Sequence, residues 1–284
     1  MPKVSILMST YNDGPELIDS IRSLFCQSFK DFEIILIDDC SNDKTRSILR
    51  ELSIEDPRLH VSFNSQNLGF SACLNIGIRL CNGQYIARMD GDDISLPNRI
   101  STEVAFLDSR PEFAFCGSSY FLFDENGVWG FSKMKSTVTK KDVFYGSSFC
   151  HPSVMIRKDA LLAVGSYTVF SRKTRMAEDY DLWCKFYYHG FLGANISLPL
   201  LKYRENLGSY KKRKFKYQLN YLKLKRKWRR LFRYSPFVNL SLTKDLLVGL
   251  LPRSIYYNLH RRTYIKQLSK LDGYQKGSDN YGSN

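Results

Sequence analysis

Residues 4–39, VSILMSTYNDGPELIDSIRSLFCQSFKDFEIILIDD, hold two strand-like runs separated by one helix-like period. Val4 to Met8 and Phe32 to Ile37 are apolar and rich in β-branched residues, the composition of strands buried on both faces. Between them Leu17, Ile18, Ile21, Leu24 and Phe25 recur at helical spacing, and Pro15 stands where a helix start loses little by lacking an N–H. Strand, helix and strand in that order form the unit of a parallel sheet covered by helices. The unit repeats. Ser41 to Asp43 offers capping residues for a second helix, Leu59 to Phe63 is a third strand, Phe70 to Leu80 a third helix and Tyr85 to Met89 a fourth strand. After Pro111 the pattern changes: Phe113 to Phe123 reads as one or two strands, Asn126-Gly127 as a hairpin turn, Ser153 to Ile156 as another strand and Asp179 to His189 as a helix. The expected class is therefore α/β, with a mixed, mainly parallel, Rossmann-like sheet.

A chain of 284 residues can bury a full core in one domain and carry an appendage, and 43% hydrophobic residues exclude a disordered protein. The cysteines at 26, 40, 73, 81, 116, 150 and 184 form no CxxC pair and lie in or beside apolar runs, so they read as reduced packing residues. With no secretory leader before Val4, the expected compartment is the cytosol. The longest apolar stretch, Leu242 to Leu251, is interrupted by Lys244 and Asp245 and is too short to span a bilayer.

The net charge of +14 is concentrated: from Lys202 to Arg233 there are 14 Lys or Arg against the single acid Glu205, so that segment alone carries +13. Beyond Lys211 a long basic helix is expected, with Tyr217, Tyr221, Leu224, Trp228 and Leu231 on one face. Two uses fit such a face. It can lie in a membrane interface with its aromatics at headgroup depth, or it can pack on the catalytic domain with its charges in water. Nucleic acid is not expected, since no recognition motif accompanies the charge. The domain reading is a catalytic unit at 1–208, a basic membrane-associating extension at 209–271 and a disordered tail at 272–284.

Ligands of a parallel sheet bind beyond the C-terminal ends of its strands. Three polar loops occupy such ends: Ser9-Thr10-Tyr11-Asn12-Asp13-Gly14, Asp38-Asp39 and Asp90-Gly91-Asp92-Asp93. An aromatic at Tyr11 would lie against a base, and Asp39 would accept hydrogen bonds from a base or ribose; ordinary turn chemistry would give the same loops. Three carboxylates within four residues at 90–93 repel one another unless a cation neutralises them, and hard oxygen donors suit Mg²⁺ or Mn²⁺. The alternative is an acidic turn capping a helix that starts near Pro97. Glu178-Asp179 presents the same choice between an acidic first turn and a functional pair.

The series Val4 to Asn12, Ile37-Asp38-Asp39-Cys40-Ser41-Asn42-Asp43, Asn67-Leu68-Gly69 with Asn75-Ile76-Gly77, and Asp90-Gly91-Asp92-Asp93 resembles the family 2 glycosyltransferases. His151-Pro152-Ser153-Val154-Met155-Ile156-Arg157 and Ala177-Glu178-Asp179-Tyr180-Asp181-Leu182-Trp183 are similar to its bacterial surface-polysaccharide (O-antigen or capsule) branch. The resemblance covers residues 3–204. It implies a nucleotide-diphospho-sugar transferase fold and inverting, metal-dependent transfer from a nucleotide sugar, UDP-linked by expectation. It places the donor at Thr10, Tyr11, Asn12, Asp39, Asn67, Asp90 and Gly91, and the cation at Asp92 with Asp90 and Asp93. It makes Asp179 the general base with Glu178 in reserve, and sets His151 and Trp183 near the acceptor or the metal. For His151 a structural role, and for Trp183 core packing or sugar stacking, also fit the residues alone. The implied acceptor is a lipid-linked oligosaccharide at the inner face of the cell membrane. Two rivals stand beside this reading: a nucleotidyltransferase, which would release pyrophosphate, and a basic membrane- or nucleic-acid-binding protein without catalysis.

Overall fold

A computed structural model describes residues 1–146, 148–170, 177–206, 215–236 and 253–271. The expected tail from Asp272, the apolar stretch 242–251, the opening of the basic segment and the Tyr217 side chain lie outside the described residues. In chain order the elements are β1 (Val4–Thr10), α1 (Glu16–Phe25), β2 (Phe32–Asp38), α2 (Asp43–Glu55), β3 (Leu59–Phe63), α3 (Phe70–Leu80), β4 (Tyr85–Arg88), β5 (Ile94–Ser95) and α4 (Arg99–Ser109). There follow β6 (Phe113–Asp124), β7 (Gly127–Ser132), α5 (Lys140–Tyr145), β8 (Met155–Arg157), α6 (Lys158–Ala163), α7 (Glu178–Tyr188), β9 (Leu192–Arg204), α8 (Phe215–Leu231) and α9 (Arg253–Leu268).

One sheet of nine strands runs β3-β2-β1-β4-β8-β6-β9-β5, with β7 paired to β6. The first four strands are parallel, as the alternation predicts, and β8 joins β4 and β6 antiparallel. Side chains alternate across this sheet and build two cores. Leu7, Ile35, Ile37 and Ile86 face α3, α5, α7 and α8, whereas Val4, Ile6, Met8, Ile34 and Leu36 face α1, α2 and α4. Helices therefore cover both faces, and the polar residues of the strand ends are left at one rim.

Several expectations change. Residues 192–204, to which the sequence pattern assigns no element, form β9, the parallel partner of β6. Gly193 and Pro199 hide it in the sequence, and register shifts flank the Ser119 pairing with Pro199, so no clean period of two survives. Ser153 to Ile156 is not one strand: Pro152 sits in a 3-10 turn, His151–Ser153, and β8 begins at Met155. The acids at 90–93 do not cap α4, because β5 intervenes and Asn98 holds the cap position.

The aromatic face of α8 packs on protein. Leu224, Trp228 and Phe232 are buried in the same core as α5 and α7, and the Tyr221 ring lies 4.9 Å from that of Tyr180. Trp228 Nε1 donates to Asp181 Oδ1 at 2.8 Å, and Lys225 Nζ donates to the Tyr145 carbonyl at 3.0 Å. Tyr221, Leu224 and Trp228 are thus spent on the core, and among the described side chains of that set Leu231 is the exposed one, at 39%. Trp228→Ala is expected to cost about 3–5 kcal/mol in urea denaturation, the range for truncating a buried large aromatic. An unchanged midpoint would mean that α8 is not part of the fold.

Candidate active site

The loop after β1 and the loop after β2 are laced together. Asn12 adopts φ +54°, and its backbone N–H donates to Ser41 Oγ at 2.9 Å. Its side-chain oxygen accepts the Asn42 N–H at 2.8 Å, so Asn12 acts as a bridge between loops. Thr10 Oγ1 donates to Asp13 Oδ2 at 2.7 Å. Tyr11 is 52% exposed, which leaves its ring available to a planar ligand. Asp39 is buried, and its two carboxylate oxygens accept the backbone N–H groups of Leu68 at 2.7 Å and Gly69 at 2.8 Å. Asn67 Nδ2 donates in turn to the Asp39 carbonyl at 3.0 Å. Asp39 and Asn67 therefore order the 64–69 loop.

Tyr85 to Arg88 then deliver the acidic loop. Ser20 Oγ on α1 donates to the Asp90 carbonyl at 3.0 Å. A Cβ at Gly91 would lie 2.8 Å from Asp13 Oδ2 and 3.1 Å from Leu17, so this loop closes tightly on the first one. Asp90, Asp92 and Asp93 each present a ligand oxygen, and these oxygens lie within 4.8 Å of one another. Their environments differ. Asp92 is exposed, Asp90 is half-buried and bound by the Arg88 guanidinium, and Asp93 is fully buried. Asp93 Oδ1 accepts the Arg204 backbone N–H at 2.8 Å, Arg204 Nε donates to the Asp92 carbonyl at 3.0 Å, and Asp93 Oδ2 is buried without a hydrogen-bond partner. Burial, with the charges of Asp90 and Asp92, holds the Asp93 carboxyl well above its ordinary range. A set of hard oxygens with one orphaned oxygen fits a divalent cation.

The second half of the site comes from the 3-10 turn and α7. His151 Nε2 lies 2.7 Å from Tyr167 Oη, and its ring is edge-on to Phe70 and Trp183. Burial and the nearby Arg88 charge lower its pKa well below the usual range, so the imidazole is neutral at pH 7. Glu178 Oε2 accepts the Ala177 N–H at 3.0 Å, and Asp179 Oδ1 the Tyr180 N–H at 2.7 Å. Loss of solvent first, and the Glu178 charge second, push Asp179 up to about 6. Of the two readings open for Trp183, the structure shows core packing. It is 4% exposed and stacks on Phe115 at 4.9 Å, so it backs His151 from the core and has no face for a sugar.

Two residues that the sequence reading passed over tie these halves together. Arg88 is 3% exposed, pairs with Asp90, and its charge is felt by His151 and Asp179. The Tyr167 phenol, raised first by burial, also senses Arg88, Asp179, Glu178 and Asp90. The Arg88 guanidinium lies over the Phe70 ring at 5.2 Å, that ring meets His151 edge-on, and His151 bonds Tyr167, which senses both Asp90 and Asp179, so the acids after β4 and those opening α7 face one polar cluster. An ionisable residue inside the apolar run 85–89 was the available signal for Arg88; Tyr167 stands in no motif.

Residues 5–165 match glycosyl transferase family 2. A putative glycosyltransferase EpsE of Bacillus subtilis (strain 168) is 34% identical over 273 residues, covering 95% of this chain and 97% of that protein. The chain belongs to glycosyl transferase family 2. This family 2 glycosyltransferase is also 28% identical to the Escherichia coli UDP-Glc:alpha-D-GlcNAc-diphosphoundecaprenol beta-1,3-glucosyltransferase WfaP, over 76% of this chain and 82% of that one. Its fold is shared with S. aureus TarS 1–349 in complex with UDP-GlcNAc, at TM-score 0.60 and 23% identity, over 72% of this chain. The matched region spans 59% of that TarS chain.

Proposed function

We propose that this family 2 glycosyltransferase carries a hexose or N-acetylhexosamine from a UDP-sugar to a hydroxyl of a lipid-linked oligosaccharide, with inversion and with Mn²⁺ or Mg²⁺. In this reading it works in bacterial surface-polysaccharide assembly, O-antigen or capsule, at the cytoplasmic face of the membrane. The WfaP relative supports the UDP-sugar and the diphosphoundecaprenol-linked acceptor, and the TarS complex supports the UDP donor. Among the described residues no helix is long and apolar enough to cross a membrane, which fits attachment at a surface.

The observation that carries the reading is the joining of two unlike acid pairs in one cluster. Asp92 and Asp90 would hold the cation; a bound divalent ion neutralises the departing diphosphate. Asp93, tied to Arg204, anchors their loop. Asp179 takes the proton of the acceptor hydroxyl as its oxygen bonds to the anomeric carbon, and the bond from that carbon to the diphosphate oxygen breaks with its electron pair on the leaving group. One displacement with no covalent sugar–enzyme intermediate gives inversion. Neutral His151 and Tyr167 line the polar floor beside the base.

A thermal-shift screen tests the donor. UDP-Glc or UDP-GlcNAc with Mn²⁺ should raise the melting temperature by several degrees, and EDTA should remove the shift. A nucleotidyltransferase would instead form pyrophosphate from a nucleoside triphosphate and a sugar phosphate. No shift with any nucleotide sugar would overturn the donor assignment.

A further inference from the structure

The inner face of α9 is fixed to the sheet by named contacts. The Tyr264 ring meets Trp129 edge-on at 6.5 Å, and its Cβ lies 2.9 Å from where a Cβ on Gly130 would stand. Gln267 Oε1 accepts the Lys133 N–H at 2.9 Å, Arg261 Nη1 reaches Asp124 Oδ2 at 3.5 Å and Leu268 is buried. With that face committed to β7, the opposite one is determined. It carries Ile255, Leu259 and Ile265, exposed at 48%, 53% and 43%, among exposed Arg262, Lys266 and Lys270. No acid occurs anywhere between Arg253 and Lys270.

We propose that this outward face of α9 is the membrane contact of the enzyme, its isoleucines and leucine entering the headgroup region of an anionic bilayer and its cations pairing with lipid phosphate. Exposed apolar residues are ordinary on a surface, and α9 has no separate apolar side; what distinguishes this face is that Ile255 and Leu259, one turn apart, lie in line with Arg262 and Lys266 and no acid interrupts the charge, so attraction to anionic lipid leads and the apolar side chains add to it. A second copy of the same face would bring cation against cation, which disfavours a homodimer there. Aliphatic rather than aromatic side chains between the charges disfavour single-stranded nucleic acid, whose bases stack on rings.

The location agrees with the chemistry. His260 on α9 lies 3.7 Å from Glu205, whose neighbour Arg204 binds Asp93 and Asp92. The lipid face thus belongs to the helix whose inner side braces the strand end that holds the acidic loop, and a lipid-borne acceptor must reach that loop; this clause rests on the proposed reaction. On α8, Lys223, Arg226 and Arg230 are exposed opposite the packed aromatics and add long-range attraction without insertion.

The test is co-sedimentation of the full chain with phosphatidylcholine vesicles, with and without phosphatidylglycerol. The wild type should bind only the anionic vesicles. Ile255→Asp with Leu259→Asp should weaken that binding by at least about tenfold, and Arg262→Glu with Lys266→Glu by a similar factor, since each basic residue near the surface contributes about 1 kcal/mol. Melting temperatures confirm folding, and the charge pair serves if the apolar pair does not fold. Undiminished binding by both variants, equal binding to neutral vesicles, or retention on single-stranded DNA in place of vesicles overturns the proposal. UDP-sugar hydrolysis without lipid should be the same in every variant, so its absence in the wild type would count against the proposed reaction and not against this surface.

Discussion

Asp179→Asn is expected to lower sugar transfer by on the order of a thousandfold while leaving binding of the donor intact, because the amide keeps the shape of the carboxylate and cannot take a proton. Asp179 is the carboxyl of the α7 pair that is pushed up to about 6, chiefly by loss of solvent. A base so poised is ionised above that value, so wild-type transfer should rise with pH through about 6 and level off beyond it. The substituted enzyme should show no such limb. Stability runs the other way. A carboxyl raised from its ordinary 3.8 binds its proton more tightly in the folded chain, so its contribution is fully present below 3.8 and is lost as pH rises through about 6. At pH 8 the fold carries an ionised group in an unfavourable place, and Asp179→Asn should make the protein more stable by about 1–3 kcal/mol in urea melts. Loss of activity with gain of stability is the signature of a functional acid, which an acidic first turn serving only the helix dipole would not give. Full transfer by the variant would move the base to Glu178 or elsewhere.

The parts of this site that the sequence announces are those built from local rules. Strands β1, β2 and β4 read clearly because they are buried on both faces, the edge strand β3 follows from the alternation with amphipathic helices, and each ends in the polar loop that the parallel topology requires. The acidic loop is legible because like charges so close need an explanation. What the sequence hides is long-range. Strand β9 is disguised by Gly193 and Pro199, yet through Arg204 it anchors Asp92 and Asp93 from more than 100 residues away. Tyr167 belongs to the site only because the 3-10 turn brings His151 to it. The aromatic stripe of α8 was legible as a stripe, but its partner was not: periodicity reports that a face is apolar, and only the burial of Trp228 against Asp181 says that protein covers it.

Asp92→Ala separates the role of the acidic loop in folding from its role in chemistry. Asp92 is exposed, so its truncation should change stability by no more than about 0.5 kcal/mol. If its carboxylate is the outer ligand of the cation, the same change should weaken Mn²⁺ binding, read by loss of the free-ion electron paramagnetic resonance signal on titration, and lower transfer by on the order of a thousandfold. Asp90 cannot take over alone, because one of its oxygens is held by Arg88, and Asp93 has one oxygen committed to the Arg204 N–H. The acids differ in burial, so they should differ in consequence: Asp93→Ala strands a backbone donor that its carboxylate now satisfies and should cost about 1–3 kcal/mol of stability as well as activity. A loop that served only as a turn would show the opposite order, with Mn²⁺ titrating identically in wild type and Asp92→Ala and the donor-induced melting shift retained. That result would remove the cation from Asp92, whereas a free-ion signal that persists in Asp92→Ala with an unchanged melting point would place it there.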